Sequence, residues 1–472
     1  MPPLVHSVAR LVGFAGAASL CALLSACFAL PNYPDAERAA LARPASALRI
    51  VDASGQLMGV RRAMIEAQLR AIDGYGALAR HLAIAAAITE SPLVVGNQPQ
   101  ILIDGPAAYA AMFAAIESAT DHIHIESFIF EELDFGRRLS DTLIAKQRAG
   151  VTIRVLYDSV GSISTSDEFL EKLRAGGLLI CEFNPVNPLR VTRANTTWRP
   201  NHRDHRKILV VDGRVAFTGG INFHQVYRSG SAPLRMRNMP TTQEGWRDTH
   251  LRVHGPAVRE FQELFMNSWT KQRCDGSIDG DLYPPLETAG NHTMMIVGSS
   301  PDEMMSRMYL TLISALAYAQ KSIDLTAAYF VPDVDTITAL TAAAARGVQV
   351  RLLLPGFTDS WLTLHGGRSH YELLLAAGVR IFEHRDALLH AKTVVIDGVW
   401  STIGSSNIDW RSFCHNDEIN AIVLGEAFGT EMGRVFADDV AVAFEITAQA
   451  WRERSPADRL REWLARRWEQ LL

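Results

Sequence analysis

A chain of 472 residues is too long for a single hydrophobic core and implies two domains or a duplicated one. With 48% hydrophobic and 21% charged residues it has the balance of a folded protein, which excludes disorder over most of its length. A formal charge of −5 lacks the net-basic footprint of a general nucleic-acid binder.

Arg10 precedes an apolar run from Leu11 to Leu24 that ends in Leu24-Ser25-Ala26-Cys27, the pattern of a bacterial lipoprotein cleavage site. Residues 1–26 would then be a signal peptide and Cys27 the lipidated N-terminus. The competing reading continues to Leu30, giving about twenty apolar residues, enough to span a bilayer uncleaved. Both keep Arg10 on the cytoplasmic side and send the rest across. The expected localisation is membrane-associated in the bacterial cell envelope, lipid-anchored and facing the periplasm. Residues 27–98 are rich in Ala, Arg and Leu and are expected to form one or two outer helices or a spacer.

The first lobe, 99–273, opens with a strand at Gln100–Asp104 and a helix from Ala107 to about Thr120, with Pro106 suited to a helix start. An alternating strand His122–Phe128, a helix of about Phe135–Ala149 and a strand Val151–Asp158 follow. After a linker at 274–290, the second lobe, 291–454, repeats the plan: strand Thr293–Gly298, helix, strand Ser322–Phe330, helix of about Asp335–Arg346, strand Val348–Leu354. Strands alternating with helices predict an α/β fold, each lobe a mostly parallel sheet flanked by helices. His122 and His124 share a strand face. A metal site is the less favoured reading there, since alternation places polar residues on a cleft-facing or partly buried strand just as readily. Cys181, Cys274 and Cys414 show no CxxC or zinc-like spacing, Cys181 reads as a buried core residue, and no disulfide is assigned. Residues 455–472 read as an amphipathic helix starting at Ser455-Pro456, with Leu460, Trp463, Leu464, Trp468, Leu471 and Leu472 at helical spacing among arginines. It either docks on the second lobe with its arginines in water or lies in a lipid interface.

Each lobe closes on the same motif. His205, Lys207, Asp212, Gly213 and Asn222 recur as His390, Lys392, Asp397, Gly398 and Asn407, with Asn seventeen residues after His in both copies. His-x-Lys before an aliphatic run is a strand whose residues i and i+2 share a face, and Asp-Gly is a turn, so each copy predicts a hairpin that returns Asn beside the imidazole. One neutral imidazole can attack phosphorus while a second, protonated one donates to the leaving oxygen. Two ammonium groups and two carboxamides would hold the non-bridging oxygens. Asp212 and Asp397 lie an odd number of residues from the lysines, on the opposite strand face, which favours a structural role.

On these motifs, and on Glu182–Pro188, Asn201–Lys207, Gly245–His250 and Tyr157–Ser162, the sequence resembles the phospholipase D superfamily and, within it, bacterial cardiolipin synthases, from about Ser91 to the C-terminus. The resemblance implies two phospholipase D-like lobes related by a pseudo-twofold axis, with the site at their interface. It implies a phosphatidyltransferase acting by double displacement, His205 as nucleophile and His390 as general acid and base, with no cofactor and no metal because the lysines supply the positive charge. It also implies an acidic partner for each imidazole: Glu418, eleven residues after Asn407, and Asp248. Phospholipid substrates, phosphatidylglycerol foremost, and a membrane surface are the expected partners, with no nucleic acid and no oligomeric state implied; water in place of the acceptor would make the same residues a phospholipase D. His202, Arg203 and Arg206 would either meet an anionic headgroup or be solvated. At most one membrane-spanning segment departs from the two that begin many cardiolipin synthases.

Overall fold

The computed structural model describes residues 30, 33–42, 48–71, 75–191, 198–231, 245–276, 280–303 and 306–472; the leader, with Cys27, lies outside them. The first strands are β1 (Ile50–Asp52), β2 (Gly55–Gln56) and β3 (Leu93–Ile103), followed in the first lobe by β4 (His122–Ser127), β5 (Thr152–Asp158), β6 (Leu179–Phe183), β7 (Arg203–Asp204), β8 (Lys207–Val211), β9 (Val215–Gly219) and β10 (Thr249–His254). The second lobe holds β11 (His292–Ser299), β12 (Ser322–Thr326), β13 (Gln349–Pro355), β14 (Arg380–His384), β15 (Thr393–Ile396), β16 (Trp400–Gly404), β17 (Asn416–Leu424) and β18 (Phe444–Ile446).

Hydrogen bonding runs in the order β6-β5-β4-β8-β9-β10-β3 on one side and β14-β13-β12-β15-β16-β17-β11 on the other, and β3 pairs with β11. The two orders correspond strand for strand, so the repeat in the sequence is a repeat in space. Along these two orders parallel pairing is confined to β4-β5-β6 and β12-β13-β14, so each lobe's sheet is mixed where a mostly parallel one was expected. Those strands are joined through helices such as Asp134–Arg148 and Val334–Ala345, the long connection that parallel neighbours need. The motif strands arrive as hairpins, which close only antiparallel.

At Gly96 and Asn97 strand β3 passes from one sheet to the other. The Asn97 side-chain amide donates to the Val94 carbonyl at 2.7 Å, and its oxygen accepts from the Ala257 N–H at 2.8 Å. Val94, Val210, Val253, Met294, Ile419 and Val423, from both lobes, share one core cluster. Each such fully buried side chain contributes roughly 1.5–3 kcal/mol, so the lobes are bound by core packing as well as by strand pairing.

Two further expectations are corrected here. The described residues between 30 and 98 are neither purely helical nor a spacer. Helices Tyr33–Ala42, Gly59–Arg70 and Tyr75–Thr89 accompany the β1–β2 hairpin, and β1 lies parallel to β3. Leu78, Leu82 and Ala85 enter the second lobe's core beside helix Arg307–Tyr318, where His81 Nδ1 meets Ser314 Oγ at 3.0 Å. Cys181 is not a free core thiol: it forms a disulfide with Cys274, 93 residues on, tying β6 to the chain beyond helix Val258–Lys271. Closing a loop of that length is worth about 4–5 kcal/mol in the chain-entropy picture. Hydrophobic surroundings disguise such a bond in the sequence, because a half-cystine and a buried thiol look alike there.

Candidate active site

Both Asp-Gly turns place their two central residues at positive φ, 52° and 60° at Asp212-Gly213 and 56° and 69° at Asp397-Gly398, the hairpin geometry that glycine and aspartate tolerate. The two carboxylates face away from the histidines. Asp212 accepts from the N–H groups of Thr120, Asp121 and His122 at 2.8–3.0 Å, and Asp397 from those of Gln320, Lys321 and Ser322 at 2.6–3.1 Å. Each thereby fixes the chain at the start of the parallel half of its sheet. Burial pushes the Asp212 carboxyl up, but the three N–H donors outweigh it and hold it below the usual carboxylate range.

The imidazoles are held from across the seam. His205 Nδ1 lies 3.0 Å from Glu418 Oε1, and His390 Nδ1 lies 2.8 Å from Asp248 Oδ2, so each lobe's acid orients the other lobe's histidine. Backbone pairing explains the crossing. Arg203 and Asp204 of β7 run parallel to Asn416 and Asp417 of β17, and the His205 N–H donates to the Asp417 carbonyl at 2.9 Å. In the second half Arg247 pairs with Leu389, and the His390 N–H donates to the Arg247 carbonyl at 2.7 Å. In both halves the residue before the acid binds the histidine's own N–H. The expectation of an acidic partner for each imidazole placed no chain crossing on it.

The acids are seated differently within their own lobes. Glu418 takes the Ser405 hydroxyl and the Asn416 amide, the latter at 3.2 Å. Asp248 packs so closely on Gly220 that any side chain there would collide with its carboxylate. Gly220 and Ser405 occupy the same offset in the two motifs. The Asp248 N–H and the Ser231 N–H donate to Asp104, at 3.0 and 2.8 Å, which draws the start of helix Asp104–Ser118 into the support of the site. That helix begins earlier than Pro106 implied.

Lys207 and Lys392 bend back so that each Nζ donates to the carbonyl of its own histidine, at 2.6 and 2.7 Å. Lys392 Nζ also lies 3.0 Å from both ring nitrogens of His390. Asn222 Oδ1 accepts from the Ile129 N–H at 3.3 Å and its amide faces Tyr227 Oη at 3.4 Å; Tyr227 Oη in turn meets His390 Nδ1 at 3.1 Å. The Asn407 side-chain oxygen is buried with no hydrogen-bond partner among the described residues. Aromatic rings wall the site: Phe128 against His205 and Lys207, and Trp246, Tyr227 and Tyr329 around His390. Phe128, Tyr227, Tyr329 and Ser405 were not found from the sequence. Ser405 stands where the first repeat has Gly220, a difference that the sequence does display.

Electrostatics divides the site into unlike halves. Burial, with Lys207 adding to it, lowers His205 to about 4, so this ring is neutral near pH 7. Burial raises the Glu418 carboxyl, but His205, Lys207 and Ser405 outweigh it and keep Glu418 ionised. Burial pushes Asp248 up to about 7 against the pull of Lys392, while His390 is held well below its ordinary value by burial and by Lys392, Lys207 and His205. The two rings and both lysines therefore act on one another across the seam. Lys207 and Lys392, both buried, fall to about 7 and about 8.

The sign of the pH dependence follows. A lysine with a depressed value is charged below it and loses its charge as pH rises through it, and Asp248 loses its proton in the same range. Since kcat/KM reports the free enzyme, it should stay level from about pH 5 to about pH 6.5 and fall above about pH 7–8. A rate measured on micellar substrate that climbs steadily to about pH 9 would contradict this.

His202, Arg203 and Arg206 are neither solvated nor open to a headgroup. His202 Nε2 pairs with Asp417 at 3.0 Å, Arg203 binds the Asn184 and His202 carbonyls, and Arg206 binds the Glu418 carbonyl, Ser268 and the Ser299 carbonyl. All three are buried in the seam behind His205. His122 and His124 lie in the interior, on Asp121 and on Gln262 and Arg154.

Residues 112–228 and 312–440 match the family model described as cardiolipin synthase, PLD-like domain. The cardiolipin synthase of Geobacillus kaustophilus (strain HTA426) is 35% identical over 396 residues, covering 83% of this chain and 76% of that protein. That of Alkalihalophilus pseudofirmus (strain ATCC BAA-2126 / JCM 17055 / OF4) is 33% identical over 417 residues, covering 87% and 79%. Among solved structures, the phosphatidylserine synthase of Haemophilus influenzae Rd KW20 superposes with a TM-score of 0.55 over 79% of this chain and 93% of its own, at 12% identity, a likeness of fold.

Proposed function

Because the chain belongs to the cardiolipin synthase family of the phospholipase D superfamily and is a cardiolipin synthase-like phosphatidyltransferase, we propose that it moves a phosphatidyl group onto the glycerol hydroxyl of phosphatidylglycerol through a phosphohistidine. The observation that supports the mechanism is the pairing of each histidine with an acid from the other lobe, Glu418 held, against burial, below its ordinary value by His205 and Lys207 and Asp248 raised by burial. Glu418, ionised, accepts the proton on His205 Nδ1 and leaves Nε2 with its lone pair, the form a nucleophile needs. The His390–Asp248 pair retains an extra proton up to about pH 7, shared across Nδ1, so that Nε2–H can be given to a leaving oxygen and replaced from behind.

In the first displacement His205 Nε2 bonds to phosphorus, the bond from phosphorus to the leaving alcohol oxygen breaks, and that oxygen takes the proton from His390. In the second, the acceptor hydroxyl returns a proton to His390, its oxygen bonds to phosphorus, and the phosphorus–nitrogen bond breaks. Lys207, Lys392 and Asn407 face the phosphoryl oxygens, while Asn222 acts through Tyr227 on His390. Purified chain incubated with phosphatidylglycerol as the only lipid is expected to yield cardiolipin and glycerol. Phosphatidic acid and glycerol instead would make it a hydrolase, and no turnover would remove the enzyme.

We further propose that the catalytic part lies outside the cytoplasm on a lipidated Cys27. The leader pattern supports this, as does the Cys181–Cys274 disulfide, a bond that persists in oxidising compartments. Metabolic palmitate labelling is expected in the native chain and not in Cys27→Ala; equal labelling of both would overturn the lipid anchor. Among the described residues no helix is long and apolar enough to cross a membrane.

A further inference from the structure

The C-terminal helix packs the wrong way round for burial. Pro456–Arg466 and the short turn Glu469–Leu471 lie on helix Trp361–Arg368, but the residues turned inward are Glu462 and Ala465. Glu462 is held by Arg454 at 3.0 Å and Glu469 by His370 at 3.2 Å. Leu460, Trp463, Leu464, Trp468 and Leu471, which recur at helical spacing, face outward, each 43–56% exposed. Burial in a soluble core would select the opposite orientation, since a helix normally turns its apolar stripe inward. The expected docking on the second lobe is present, made by carboxylates and alanine, and the apolar stripe is left over.

What surrounds the stripe points to its partner. Arg459, Arg466 and Arg467 are exposed beside it, and the Arg467 guanidinium lies over the Trp463 ring at 4.8 Å. Indole rings and leucines bordered by arginines suit the boundary between acyl chains and anionic headgroups. The stripe also ends close to the site. The Leu472 carbonyl accepts from the Arg411 N–H at 2.7 Å, four residues past Asn407, and Arg411 binds the Asn201 side chain at 3.1 Å, four residues before His205.

We propose that this face is the surface by which the folded lobes rest on an anionic lipid bilayer, holding the seam against the membrane that contains the substrate. It is separate from any anchor supplied by the N-terminus, and it does not depend on which reaction the site performs.

The test is hydroxyl-radical footprinting of the reconstituted full chain, read by mass spectrometry at Trp463 and Trp468. Vesicles of phosphatidylglycerol in phosphatidylcholine should lower oxidation of both rings at least ~5-fold, and phosphatidylcholine alone should lower it less. Unchanged oxidation on the anionic vesicles overturns the proposal. Protection that rises with protein concentration in the absence of lipid also overturns it, in favour of a second copy of the chain. As a second reading, a Trp463→Ala, Leu464→Ser, Trp468→Ala variant should act on monomeric short-chain phosphatidylglycerol at the native rate while its apparent affinity for phosphatidylglycerol vesicles drops at least ~10-fold. Equal affinity of variant and native chain for those vesicles would contradict the assignment. The footprint needs no turnover, so its failure is distinguishable from failure of the proposed reaction.

Discussion

His205→Ala is expected to abolish transfer, and His390→Ala to leave only a trace of it. Removing the nucleophile of a double displacement leaves no route to the covalent intermediate, a loss of about 10⁴-fold or more in kcat. Removing the general acid should cost about 10²–10⁴-fold, and less with a donor whose alcohol leaves easily, because such a group needs little protonation. The two variants thus differ in a way that equal roles would not produce. Both should fold, because each backbone N–H that pins its histidine, to Asp417 and to Arg247, survives the substitution. Circular dichroism and the thermal transition check this, and turnover on phosphatidylglycerol and on an activated-donor analogue reads the difference. Equal loss on both donors for His390→Ala would remove it from the role of acid.

Arg247→Ala should be the most destabilising single change in the seam, by about 3–5 kcal/mol. Arg247 is buried, and its guanidinium makes a two-pronged bond to Asp439 at 2.8 and 2.6 Å, while a further nitrogen faces Thr249 Oγ1 and the Asp248 carbonyl. Truncation would take from buried Asp439 the guanidinium that binds both of its carboxylate oxygens, the costly side of breaking a buried pair. Because Arg247 precedes the acid that orients His390, activity should fall along with stability. Arg247→Lys should recover little, since one ammonium cannot reproduce the planar fork. Urea unfolding measures the loss, and a shift under about 1 kcal/mol would show that the Arg247–Asp439 pair adds little to holding the lobes together.

The motif residues that meet at the seam were legible in the sequence because a duplicated motif is local. His205, Lys207 and Asn222, and their second copies, sit on single hairpins whose turn chemistry and strand period fix their relative positions. The order of helices and strands was legible for the same reason. What escaped was set by long-range pairing. No local pattern says that β7 lies beside β17 or that Arg247 lies beside Leu389, so the exchange of acids between lobes, and the burial of His202, Arg203 and Arg206 that goes with it, had no signature. The N-terminal helices and the Cys181–Cys274 bond were misjudged because apolar composition shows that a residue is buried without showing what it meets. At the C-terminal helix the spacing gave the stripe correctly, but no local pattern shows that Glu462 and Ala465 make the contact.

The central claim, that two imidazoles from two lobes serve one phosphorus and that one of them becomes covalently bound to it, is tested most directly by quenching the turning-over enzyme in alkali. With phosphatidylglycerol labelled at phosphorus, and with the modified residue mapped by mass spectrometry, label is expected on His205 in the native chain. Label on no residue during full turnover, or on His390 in its place, would contradict it.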